Sequence, residues 1–220
     1  MPKILIVAAT RFEVEPILNH YKIVLENDLS FFKSPIENIS FLITGVGMVN
    51  TAFKLGQLSN EKYDFAINVG ICGAFEQDLK IGEVVDIVSD TLSEMGAEND
   101  EEFIEYNNLN LGGTNVYRNR VNAEIKILRE LKNVKSITVN TIHGNDQSIK
   151  RVKDLYLPDV ESMEGAAFFR ACEGLSDYYL QIRAVSNYVE KRDKSKWNIP
   201  LAIKNVNEFV IDLLQVINNK

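Results

Sequence analysis

The sequence predicts an α/β fold, a single domain whose central sheet is mixed but mostly parallel, with helices on both faces. Two observations predict it. Short apolar runs of strand length recur down the chain, separated by stretches with helical spacing. These runs are apolar at nearly every position rather than at alternate ones, as in strands buried on both faces. At 220 residues the chain can fill one sizeable core, and no linker or internal repeat divides it, so one domain over 1–220 is expected.

In chain order, residues 3–9 (KILIVAA) read as the first strand. Pro16 fits best in a first helical turn, which places a helix start near Glu13. A strand over 39–45 (ISFLITG) precedes a helix over 48–58, and strands follow at 64–70 (DFAINVG) and 82–90 (GEVVDIVSD). Residues 91–119, rich in Glu, Asn and Gly, are too long for a routine connection and read as a functional or mobile loop. A helix over 122–131 (NAEIKILREL), a strand over 134–140, a helix over 163–172, a strand over 179–186 (YLQIRAVS) and a helix over 200–217 complete the pattern.

Composition excludes several classes. The net charge is -7 with no basic block, so the electrostatic footprint of a nucleic-acid binder is missing. No apolar run approaches the roughly 20 residues of a membrane span. Two cysteines, Cys72 and Cys172, sit in apolar company and make no disulfide framework, which favours reduced thiols and a cytoplasmic, soluble protein. Neither His20 nor His143 has a partner at metal-ligand spacing, and no Gly-x-Ser-x-Gly elbow is present. No metal or organic cofactor is implied.

In sheets of this kind ligands bind beyond the carboxyl ends of strands. That rule selects residues 9–13, 45–50, 70–74, 141–147 and 186 onward, each with glycine or polar residues directly after an apolar run. TGVGMVN lacks the third glycine of a dinucleotide site, because Asn50 stands there, and no ribose-binding acid follows. It reads instead as a tight turn close to a ligand. NVGICGAF, with Ile71, Cys72 and Gly73, reads as a second turn, either a plain one or one whose N–H groups hold an oxyanion or a water. Glu13 is either a helix-dipole partner or a general base aimed into the cleft. PDVESMEGAAFFRAC raises a sharper question, because Glu161 and Glu164 lie among residues suited to burial. Isolated buried charges are costly, so such groups are paired, exposed or functional.

Taken together, the helix-start glutamate, GVGMVNTA, NVGICGAF with LKIGEVVDIVSD, VESMEGAA and IRAVSN resemble the nucleoside phosphorylase/hydrolase superfamily across nearly the whole chain. Within it, the methylthioadenosine/S-adenosylhomocysteine nucleosidases carry Glu-Met-Glu-Gly-Ala-Ala and Arg-Ala-Ile-Ser-Asp. This chain departs from both, with an extra Ser162 before Met163 and with Asn187 in place of the aspartate. VESMEGAA and SNYVEKRDKSKW are more similar to the futalosine hydrolases of an alternative menaquinone pathway.

The resemblance implies hydrolysis of a purine nucleoside, with futalosine giving hypoxanthine and dehypoxanthine futalosine. It implies that Glu13 activates water, that Glu164 holds the ribose hydroxyls beside Met163, and that Asn187 hydrogen-bonds the departing base. Asp193 is a candidate proton donor to that base. Ile71, Cys72, Gly73 and Gln147 are expected at the substrate. The resemblance also implies a homo-oligomer in which a partner chain closes the 5′ end, with Phe103 and Tyr106 as the candidate wall. A role for Glu161 beyond structure stays open. The alternatives are a methylthioadenosine/S-adenosylhomocysteine nucleosidase, a purine nucleoside phosphorylase and a non-catalytic nucleoside-binding protein. Against phosphorolysis, Ile71 stands where related chains often carry a phosphate-binding serine; Arg11 points the other way.

Overall fold

A computed structural model describes residues 1–23, 31–33 and 38–219. The first strand, β1 (Ile4–Ala8), is followed by α1 (Arg11–His20), β2 (Phe31–Lys33), β3 (Ile39–Ile43), α2 (Met48–Gly56), β4 (Tyr63–Ala74) and β5 (Val84–Leu92). A small hairpin, β6 (Gly96–Asn99) with β7 (Glu102–Glu105), and β8 (Val116–Arg118) lie within the long polar loop. The chain ends with β9 (Lys132–Thr138), α3 (Asp146–Tyr156), β10 (Val160–Ser162), α4 (Gly165–Cys172), β11 (Ser176–Tyr188) and α5 (Ile199–Asn218).

The large sheet runs β10-β9-β5-β11-β4-β1-β3-β2. The pairs β1–β3, β1–β4, β4–β11, β5–β9 and β9–β10 are parallel, and β5–β11 is antiparallel, so the sheet is mixed as expected. β10 also pairs with the far end of β4, Glu161 opposite Gly73, which closes β4, β11, β5, β9 and β10 into a ring. Helices α1 and α5 cover one face through Val14, Ile17, Val206 and Leu213. On the other, α2 and α4 pack through Leu55, Phe168 and Phe169.

Three sequence expectations are corrected, and one helix is added. The turn expected at residues 70–74 is strand, because β4 runs unbroken to Ala74 against β11. Helix α1 starts at Arg11 rather than near Glu13, leaving Pro16 mid-helix. The helix expected over 122–131 is only a short 3-10 turn at Lys126–Glu130, with Ile125 and Leu128 buried. Asn122 accepts from the Glu124 N–H, a local bond that competes with helix. Helix α3 lies outside those expectations: a stripe of Ile149, Val152 and Tyr156 packs on Phe75, Ile137, Val139 and Val189, and Asn145 caps the helix by accepting from the Gln147 and Ser148 N–H groups.

Candidate active site

A cavity of about 360 Å³ opens where β1, β4 and β11 end. All five strand-end segments singled out in the sequence reach it. They contribute Thr10 and Glu13, Val46, Ile71 to Gly73, Ile142 to Gly144, and Ser186 to Tyr188. A sixth segment, Glu161 to Glu164, supplies the remaining carboxylates.

Glu13 is 8% exposed, and its environment is asymmetric. One oxygen, Oε2, accepts from the Thr10 N–H at 2.9 Å and the Thr10 hydroxyl at 3.0 Å. The other, Oε1, lies at Gly70, where a Cβ would sit 2.8 Å from it and 2.6 Å from Arg183 Nη1. Burial pushes the Glu13 carboxyl above its ordinary range; the Arg183 charge opposes that shift and Glu164 adds to it. A carboxylate of raised basicity on the cavity wall, with one oxygen held by Thr10, suits a base that takes a proton from water.

Glu164 is equally buried, at the N-terminal cap of α4. Its Oε1 accepts from the Gly47 N–H at 3.0 Å, and its Oε2 lies 3.5 Å from Arg183 Nη2. The first contact explains TGVGMVN: Gly45 and Gly47 hold φ of 84° and 96°, and this turn presents the Gly47 N–H to the carboxylate. Gly165 lets α4 start here, since a Cβ at that position would meet Asp90 Oδ2 at 2.0 Å and Gln181 Oε1 at 2.4 Å. Arg183 was missed in the sequence reading. It is 2% exposed, donating from Nε to Gln181 Oε1 at 2.7 Å, from Nη1 to the Ile71 carbonyl at 3.1 Å and from Nη2 to Asn68 Oδ1 at 2.6 Å. The signal was a lone cation inside the apolar strand YLQIRAVS, which needs buried partners to be tolerated.

The remaining residues divide. Met163, Ile71, Cys72, Gly73 and Asn187 line the cavity. Burial pushes the Cys72 thiol up to about 12, so it stays protonated and packs as a small apolar group. Asn187 sits in β11 just past a bulge, its Nδ2 donating to the Tyr188 carbonyl and its Oδ1 accepting from Ser186. Asp193 is not brought to the lining. It caps an exposed 3-10 turn, and the Ser195 hydroxyl and N–H hold its carboxyl below the usual range, which unsuits it as an acid. Gln147, Phe103 and Tyr106 also lie off the cavity; Phe103 and Gln147 border a shallow outer depression, and Tyr106 donates to the Gly112 carbonyl. Arg11 pairs with Glu15 at 3.9 Å on the outside of α1. Among the described residues, no group of three His, Cys, Asp or Glu side chains is placed to hold a metal ion, and no helix is long and apolar enough to cross a membrane.

Glu161 has an unexpected partner. Its Oε1 accepts from the His143 N–H at 3.0 Å, and its Oε2 lies 2.6 Å from His143 Nδ1. The two side chains, 18 residues apart in sequence, are 5% and 13% exposed.

Comparison with known proteins agrees with this architecture. The chain is 27% identical over 181 residues to a futalosine hydrolase from Thermus thermophilus, covering 79% of this chain and 80% of the relative. It is 27% identical over 230 residues to a 5′-methylthioadenosine/S-adenosylhomocysteine nucleosidase from Buchnera aphidicola, covering 96% and 89%. A crystal structure of the corresponding nucleosidase from Helicobacter pylori superposes with a TM-score of 0.81 at 15% identity, covering 98% of each chain, a likeness of fold. The family model described as the phosphorylase superfamily matches residues 3–215, and the chain belongs to that family.

Proposed function

We propose that the chain hydrolyses the N-glycosidic bond of a purine nucleoside, and that the nucleoside is futalosine, yielding hypoxanthine and dehypoxanthine futalosine. The observation that carries this reading is the pair of buried carboxylates, Glu13 and Glu164, arranged around Arg183 in one cavity. Water bound at the Glu13 carboxylate loses a proton to it and attacks C1′ as the bond to N9 breaks. Glu164, already anchored by the Gly47 N–H, accepts from the ribose hydroxyls with its remaining lone pairs. Such charge-assisted bonds contribute about 1.5–3 kcal/mol each. Those that strengthen as positive charge grows on the sugar accelerate the reaction.

The base preference rests on Asn187. A 6-oxopurine presents acceptors at O6 and N7; an asparagine amide can donate to O6, and its carbonyl can accept from N7 once that nitrogen is protonated. The futalosine hydrolase relative supports this choice. The Buchnera relative, matched over nearly the whole chain, supports the second reading, a methylthioadenosine/S-adenosylhomocysteine nucleosidase. Purine release from futalosine, inosine and methylthioadenosine separates them. The first reading expects the two hypoxanthine nucleosides to be cleaved faster, and equal or faster cleavage of methylthioadenosine would replace it with the second.

The protein also works as a homo-oligomer in the cytosol in this account. Val49 and Phe53, one turn apart on α2, are 75% and 63% exposed. They continue an apolar rim from Val46 and Phe12, both half-exposed at the cavity mouth. A partner chain covering this rim would close the 5′ side, with Phe103 and Tyr106 available for the wall. A monomeric mass by light scattering would contradict it.

A further inference from the structure

The reaction needs a proton for the leaving purine, and the residues assigned so far do not supply one. An asparagine amide has no proton to give at neutral pH. Asp193 is exposed and its carboxyl is held low. The same cavity contains one further titratable pair with no part in the mechanism above, His143 with Glu161.

The pair is built with unusual definition for an incidental contact. Glu161 is fixed from both sides by strand pairing, opposite Gly73 in β4 and Ile137 in β9. Its carboxylate receives both the backbone N–H and Nδ1 of His143, which sets the ring with Nδ1 inward. Phe75 packs against the ring at a centroid distance of 6.3 Å. The pair adjoins the base-reading residue, since a Cβ at Gly73 would sit 3.2 Å from Asn187 Nδ2 and 3.6 Å from Glu161 Cγ. A carboxylate on Nδ1 fixes the orientation of the ring and leaves Nε2 as the nitrogen free to donate.

We propose that His143, held by Glu161, is the acid that protonates the leaving purine, with Glu161 as its positioning residue. This rests on the hydrolase reading. As the C1′–N9 bond breaks, its electron pair passes to the purine ring and N7 takes the proton from Nε2 of the imidazolium. The oxygen of water forms the new bond to C1′ and its proton passes to Glu13. His143 ends neutral, Glu13 ends protonated, and exchange with solvent restores both. Other charged or titratable groups lining the two depressions that His143 borders are Glu94 and Glu98 beside β5 and in β6, Arg151 and Tyr156 on α3, Glu190 and Arg192 beyond β11, and Glu13, Cys72, Glu164 and Arg183 deeper in the cavity.

The test compares two leaving groups over a pH series, using the full chain and the variants His143→Gln and Glu161→Gln. Positioned acids contribute about 10²–10⁴-fold, so His143→Gln should lose at least about 10²-fold in kcat on a hypoxanthine nucleoside. It should also lose the alkaline fall of the wild-type pH profile. On 4-nitrophenyl riboside, whose leaving group departs without a proton, the loss should be within about threefold. Glu161→Gln removes the charge and leaves one oxygen where two accepted, so it should lose kcat on the hypoxanthine nucleoside while staying within about threefold on 4-nitrophenyl riboside. Equal losses on both substrates in either variant, or an alkaline fall unmoved in His143→Gln, would assign the pair to structure alone and overturn the proposal. If His143→Gln does not fold, the comparison of the two substrates in Glu161→Gln decides. Wild-type protein that releases no base from any nucleoside would instead overturn the hydrolase reading beneath it.

Discussion

Asn207 of α5 braces the helical turn that carries Glu13. Its Nδ2 donates to the Glu13 carbonyl at 2.8 Å and its Oδ1 accepts from the Ile17 N–H at 3.3 Å, with no exposure to solvent. Pro16 lies inside this turn and offers no N–H to the helix. A buried amide therefore steadies a helix that proline weakens, 190 residues away in sequence. Asn207→Leu leaves those two backbone groups without it. The expected cost is about 1–3 kcal/mol of stability. A fall in kcat of about tenfold or more should accompany it, since small misplacements of reacting groups can cost up to about 10²-fold. Thermal melts and steady-state kinetics on the same samples check this; a stability loss with unchanged kcat would detach Asn207 from Glu13.

Gly70 is the point at which Glu13 and Arg183 share space. Gly70→Ala puts a methyl group against both, and these side chains are buried, so neither can swing out to water. We expect about 1–3 kcal/mol of destabilisation from overpacking and a fall in kcat of about 10²-fold. An alanine variant with wild-type turnover would mean that the spacing of the two groups is not critical.

The placement of the site was legible in the sequence because it follows from topology: strand-end segments converge wherever strands run side by side. The two carboxylates in VESMEGAA were legible as an anomaly, since burial of charge demands an explanation. Arg183 was not, because its partners Asn68 and Glu164 become neighbours only through the pairing of β11 with β4 and the seating of α4; Gln181, two residues back on β11, is its one local partner among these. The His143–Glu161 pair was hidden for the same reason. Helix α3 and the failed helix over 122–131 show the limit of periodicity: three apolar residues, Ile149, Val152 and Tyr156, make a helix face in a mostly polar segment, and a striped segment can remain a short turn when local side-chain bonds compete.

Asn187→Asp should move the base preference. An aspartic acid can accept from the 6-amino group of adenine and donate to N7, so relative kcat/KM should rise for methylthioadenosine and fall for hypoxanthine nucleosides. Mismatched buried polar groups make such discrimination large. A ratio unchanged within a factor of about two would remove Asn187 from base recognition.

Asp86 gives a pH-dependent test away from the site. Burial raises its carboxyl from 3.8 to about 6, opposed only by the long bonds from Asn119. The folded state holds this proton more tightly than the unfolded chain. Its contribution to stability is thus present below about pH 4 and lost as pH rises through about 6. The full difference amounts to about 3 kcal/mol. Asp86→Asn should therefore be more stable than the parent above pH 6, with the gain shrinking toward pH 4. Denaturant melts across that range check it; a gain independent of pH would contradict the assignment.

The central claim is hydrolysis driven by Glu13, in a cavity where Ile71 offers phosphate no hydrogen bond and Arg11 is turned outward. The most direct measurement is hypoxanthine release from futalosine in phosphate-free buffer, repeated with added phosphate and with Glu13→Gln. Full turnover is expected without phosphate, with no acceleration on adding it, a free sugar hydroxyl in the product, and a loss of about 10²–10⁴-fold in the folded variant. Release that begins only when phosphate is added, or normal turnover by Glu13→Gln, would contradict it.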